Sequence, residues 1–75
     1  MKKTFIKFKN IEAERARNGL TVTELSNQLG ISDKTYRNWQ SPNGDIPASK
    51  LLDMSKLFNC SIDYLLGIQQ PISTI

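Results

Sequence analysis

A chain of 75 residues, 39% of them hydrophobic and 23% charged, has the size of one small domain with one core. Its 10 basic and 7 acidic side chains leave a net charge of +3, a mild excess that hints at nucleic acid without identifying it. One cysteine, Cys60, and no histidine exclude an intrachain disulfide, a zinc finger, a His-ligated catalytic metal and a His-dependent triad.

The charge is unevenly placed. Lys2, Lys3, Lys7 and Lys9 fall in the first nine residues, which hold no acid. Residues 10–75 then carry 6 basic and 7 acidic side chains, a net of −1. No apolar run approaches the ~20 residues that span a bilayer. The opening MKKTFIKFKN lacks the apolar stretch of a secretory signal. A soluble, cytoplasmic chain with no membrane partner is expected.

In chain order, residues 1–9 read as a basic arm. Residues 10–18 are rich in Glu, Ala and Arg, good helix formers, and Gly19 is a helix stop. Thr21 with Glu24 has capping-box spacing and opens a second helix, whose apolar face holds Leu25, Ser26 and Leu29 before Gly30. Ser32 is the next N-cap. Tyr36 and Trp39, at i and i+3, share the inner face of a third helix. The turn-rich residues 41–46 end it. Pro47 suits the first turn of a fourth helix, with Leu51, Met54 and Phe58 at helical spacing. A fifth, short helix follows Ser61, with Ile62, Leu65 and Leu66 facing inward. The tail, residues 68–75, is mostly polar and β-branched. The fold class is all-α, a compact set of five short helices.

The informative stretch is VTELSNQLGISDKTYRNWQS, residues 22–41. Two helices joined at nearly a right angle need a small residue at the crossing and a left-handed turn after it. Ser26 and Gly30 meet those needs. Leu25, Leu29, Ile31, Tyr36 and Trp39 pin the pair to the core. Ser32, Asp33, Lys34, Arg37, Asn38 and Ser41 lie roughly on the opposite face of the third helix.

On these residues the chain resembles the phage repressor and Cro family of helix-turn-helix regulators, the lambda-repressor-like or xenobiotic-response-element type. The resemblance covers residues 10–67. It includes Arg15, Gly19-Leu20-Thr21, Glu24-Leu25-Ser26, Leu29-Gly30-Ile31-Ser32, Trp39, Pro47, Leu51 and the closing run from Ser61 to Gly67. It implies that the third helix, about residues 32–40, enters the major groove of a double-stranded DNA operator. The second helix would cross the phosphate backbone. Such proteins commonly bind as homodimers to two-fold symmetric half-sites about 34 Å apart. The DNA-facing candidates are then Thr23, Ser32, Asp33, Lys34, Thr35, Arg37, Asn38, Ser41 and Asn43.

Four departures from the family pattern bear on the site. Val22 replaces a frequent Gln and cannot contact phosphate through its side chain. Gln40 replaces an acid that in many members pairs with Arg15, so Arg15 needs a hydrogen bond or a different acid. Asp33 favours the helix dipole but repels phosphate; it either accepts from a cytosine amino group or simply caps the helix. The loop of residues 41–46 has no Lys or Arg, although its backbone N–H groups near Asn43-Gly44 remain available to a phosphate.

Each candidate also has a plainer role. Arg37 reads guanine or is a solvated charge, Lys34 meets a phosphate or is solvated, and Asn38 divides the same way. Ser32 is foremost an N-cap. Tyr36 and Trp39 could stack on single-stranded bases, but their spacing favours packing. Cys60 fits a small buried hydrophobe better than a redox site. Glu12 and Glu14 are expected on a solvated surface. The Lys2, Lys3, Lys7 and Lys9 cluster is either a phosphate-tracking arm or a solubilising terminus. Phe5, Ile6 and Phe8 either dock on the core, pair as a strand or join a dimer contact. Tyr64, Ile68, Ile72 and Ile75 are candidate dimer contacts.

The expected function is sequence-specific DNA binding by a transcriptional regulator, a repressor of phage or bacterial type. These residues leave no room for a separate ligand-sensing domain, and no small-molecule ligand or cofactor is implied. The alternative is a protein-interaction module on the same fold, such as an antitoxin or anti-repressor partner. An enzyme has no support: no nucleophile–base pair or metal cluster can be assembled from this inventory.

Overall fold

The computed structural model describes residues 5–68. Within them lie five α-helices and no strand: α1 Lys9–Arg17, α2 Val22–Leu29, α3 Asp33–Trp39, α4 Ala48–Phe58 and α5 Ile62–Leu66.

Local chemistry explains most of the boundaries. Thr21 caps α2 with the full reciprocal box: its hydroxyl accepts from the Glu24 N–H at 3.0 Å, and Glu24 Oε1 accepts from the Thr21 N–H at 2.8 Å. Ser32 caps α3 by accepting from the Thr35 N–H, and Ser61 caps α5 by accepting from the Tyr64 N–H, each at 3.1 Å. Each such cap satisfies a donor that the helix itself leaves without a partner. Pro47 stands just outside α4, as its N-cap, rather than in the first turn. Helix α1 begins at Lys9, one residue before the boundary read from composition, and has no side-chain cap. Phe8 stands in the N-cap position and is buried.

Helix α1 packs on α5, α5 on α4, and α2 on both α3 and α4. The apolar stripes meet in one core of Phe8, Ile11, Leu25, Leu29, Tyr36, Trp39, Ile46, Leu51, Met54, Phe58 and Leu65. Ile31, Cys60, Ile62 and Leu66 are partly buried against it. Ser26 is completely buried in α2. Its hydroxyl has no hydrogen-bond partner among the described residues, so its small size is what the position uses.

Two acids depart from the solvated surface expected of them. Glu14 is buried; its carboxylate accepts from the Tyr64 hydroxyl at 3.0 Å and pairs with Arg17 at 3.5 Å. Glu12 is half-buried and accepts from Arg15 Nε and from the Tyr36 hydroxyl, both at 2.7 Å. Both acids tie α1 to another helix. Asn10 adds a third tie, its Nδ2 donating to the Tyr64 carbonyl at 2.7 Å.

Candidate nucleic-acid interface

The turn between α2 and α3 sets the site. Gly30 ends α2 at φ +72°, ψ 32°, in the left-handed region, where a Cβ is strained. The Ile31 N–H then returns to the Ser26 carbonyl at 3.0 Å. Lys50 Nζ from α4 donates to the Leu29 carbonyl at 2.7 Å, placing a cation where the helix end is negative. Across the turn, the Thr23 hydroxyl donates to Asp33 Oδ2 at 2.6 Å. The first turns of α2 and α3 are therefore joined directly, and Asp33 serves that link.

Helix α3 is held from its inner face. Tyr36 and Trp39 are buried, with ring centroids 6.4 Å apart and planes tilted by 57°. They are core residues and offer no platform to a base. The Tyr36 phenol is pushed well above its ordinary pKa, first by burial and then by its bond to Glu12; it stays a donor. The Arg15 hydrogen bond holds the Glu12 carboxyl below its ordinary value. Arg15 thus finds a different acid three residues away, in place of the one absent at position 40.

The outer face presents Lys34, Arg37 and Asn38, all exposed. Among the described residues neither cation has an ion-pair partner. Lys34 and Asn38 are one turn apart. Arg37 lies on the flank toward Glu12, whose charged form it also favours. It borders a cavity of about 160 Å³ shared with Phe5, Ile6, Val22, Tyr36, Glu12 and Gln40. Ser32 and Thr35 turn toward each other, with a 3.0 Å bond between their hydroxyls. The Ser41 hydroxyl donates to the Asn38 carbonyl at 2.6 Å. Asn43 is exposed at the loop tip.

The N-terminal segment divides. Lys2 and Lys3 lie outside the described residues, as do Ile72 and Ile75. Lys7 and Lys9 are not part of a free arm. Lys9 is helical, and Lys7 is strapped to the end of α3. The Lys7 N–H donates to the Gln40 carbonyl at 3.0 Å, and Lys7 Nζ donates to the Gly44 carbonyl at 2.6 Å. Gln40, buried, clamps the next residue with its amide: Oε1 accepts from the Phe8 N–H at 2.7 Å, and Nε2 donates to the Phe8 carbonyl at 3.3 Å. Of the three fates open to Phe8, docking is the one observed. Phe5 remains exposed. Sequence spacing gave no signal for this clamp, which joins residues 32 apart.

Elsewhere, burial pushes the Cys60 thiol pKa up, which disfavours the reactive thiolate. Among the described residues there is no group of His, Cys, Asp and Glu that could hold a metal ion, and no helix long and apolar enough to cross a membrane. Ile68, a candidate dimer contact, is exposed, whereas Tyr64 is half-buried on Glu14.

Comparison with known proteins agrees with this geometry. A family model described as Helix-turn-helix matches residues 11–65. Over 49 residues the chain is 31% identical to the "Uncharacterized HTH-type transcriptional regulator YobD" of Bacillus subtilis (strain 168), covering 65% of this chain and 44% of that protein. Over 59 residues it is 34% identical to the "HTH-type transcriptional regulator ImmR" of the same organism, covering 79% of this chain and 46% of that protein. The matches span about half the length of these relatives. No solved structure matches the chain. The matched residues contain the turn, its capped helices and all of the core but Phe8, and the chain belongs to the Cro/C1-type helix-turn-helix family of transcriptional regulators.

Proposed function

We propose that this chain is a sequence-specific double-stranded DNA-binding regulator, a cytoplasmic repressor of bacterial or phage origin that acts by operator occupancy. One observation carries the reading: α3 is anchored through Tyr36 and Trp39 while Lys34, Arg37 and Asn38 stand exposed. A helix fixed from behind and polar in front suits insertion into the major groove. The family match and the two relatives named as transcriptional regulators support it.

Arg37 is assigned to guanine O6/N7 or an adjacent phosphate, Lys34 to phosphate and Asn38 to a base edge. Thr23, Ser32, Thr35, Ser41 and Asn43 are assigned to the phosphate margin. Asp33, already accepting from Thr23, orients the reading helix and leaves its second oxygen to a cytosine amino group. The site works as a homodimer on two half-sites one helical turn apart. Selection of bound duplexes from a random pool, followed by titration of the enriched duplex, tests this. One enriched motif with paired half-sites is expected; no enrichment rejects it.

A further inference from the structure

The loop that follows α3 has the wrong charge for a phosphate. Residues 41–46 contain Asp45 and no Lys or Arg. Yet the loop is built tightly against the reading helix. The Gly44 N–H donates to the Ser41 carbonyl at 2.9 Å. A Cβ on Gly44 would stand only 2.0 Å from the Trp39 carbonyl oxygen and 2.4 Å from that of Asn38, so only glycine fits. The Gly44 carbonyl therefore marks a fixed point at the C-terminal end of α3, beside the exposed Asn38.

Lys7 is brought to that point from the other end of the chain. Its ammonium donates to the Gly44 carbonyl and lies 5.2 Å from the Phe8 ring centroid. One of its three N–H donors is used there, and the residue is exposed. Its backbone is held on both sides of the peptide that links it to Phe8, by the Gln40 carbonyl and the Gln40 amide. A carboxylate at position 40 could accept from the Phe8 N–H but could not donate to the Phe8 carbonyl. The same side chain that gives up an ion pair with Arg15 thus secures the strap. Asn43, the residue before Gly44 in the loop, is exposed and makes no hydrogen bond among the described residues.

We infer that Lys7 and the loop at Asn43-Gly44 form one fixed station for a single backbone phosphate in each half-site of the operator, and that Gln40 is the positioning residue that holds Lys7 in it. The inference rests on the DNA-binding reading above and adds where a cation meets the backbone beyond α3. It replaces a mobile lysine at position 7 with an ammonium held in place, offsetting Asp45 where the loop itself cannot.

The test uses the full chain and the duplex enriched from the random pool. Affinity is measured across a salt series for the parent chain, Lys7→Gln, Gln40→Leu and the double variant. Lys7→Gln is expected to lower the slope of log K against log salt by about 0.9 for each half-site, so by about 1.8 for the dimer on its operator. Gln40→Leu is expected to lose most of the same slope, and the double variant no more than either. Neutral methylphosphonate linkages placed one at a time along the duplex then locate the contact. One linkage per half-site should weaken the parent chain and leave Lys7→Gln unaffected. Unfolding curves confirm that Lys7→Gln is folded, so its result stands even if Gln40→Leu is not. An unchanged slope for Lys7→Gln overturns the station and leaves Lys7 as a helix-end contact. A lower slope with no linkage coupled to Lys7 also overturns it, in favour of a mobile arm. If the parent chain enriches no duplex, the DNA-binding reading fails first and the station with it.

Discussion

Glu12 shows how one side chain can fix a helix from a distance. It sits on α1, yet it accepts from Tyr36 on α3 as well as from Arg15. The Arg15 bond depresses its carboxyl below the ordinary 4.5. A group whose folded pKa is lowered stabilises the fold above the unfolded value, and that stability is lost as pH falls through the folded value. The midpoint of thermal unfolding should therefore drop as pH is lowered from about 5 to about 3. Glu12→Gln should start lower at neutral pH and show a shallower drop; a parallel profile for parent and variant would show that Glu12 contributes nothing to it. The residue is partly exposed, so solvent screening keeps the effect small. Neither this role nor the burial of Glu14 was legible in the sequence. Their spacing along α1 was plain, but the partners Tyr36 and Tyr64 arrive from 24 and 50 residues away. Only packing brings them together.

The helices themselves were largely legible, because their ends are local. Thr21 and Glu24 are three residues apart, and the box between them forms as the spacing predicts. Gly30 stops α2 in the left-handed turn that its sequence position implies. The start of α1 was less legible, since no side chain caps it and Phe8 stands there because it docks. Two substitutions, one at the cap of α2 and one within it, should move stability in opposite directions. Thr21→Ala removes the cap and should cost about 1 kcal/mol. Ser26→Ala removes a completely buried hydroxyl that has no partner among the described residues, so it should stabilise the fold by about 1 kcal/mol. Urea unfolding of the two variants checks both signs. Destabilisation by Ser26→Ala would mean that the hydroxyl is bonded in solution.

For the whole molecule, charge placement matters more than the total. A chain of net +3 whose residues 10–75 carry −1 does not attract DNA as a uniformly basic body. Lys34 and Arg37 stand exposed on the same helix, and Lys7 is strapped to its end. Helical spacing placed the first two on the outer face of α3, where they are exposed. The resemblance could not locate the third, because the Gln40 clamp uses a residue at which this chain departs from the family pattern.

The most direct measurement is competitive binding of the enriched duplex against a scrambled duplex of equal length, for the parent chain and for Arg37→Ala, with salt held fixed. The parent chain should prefer the enriched duplex by at least a hundredfold. Arg37→Ala should lose about 1–3 kcal/mol on the enriched duplex and much less on the scrambled one. Equal binding of the two duplexes by the parent chain, or an Arg37→Ala variant that retains full preference, would contradict the assignment of α3 to the major groove.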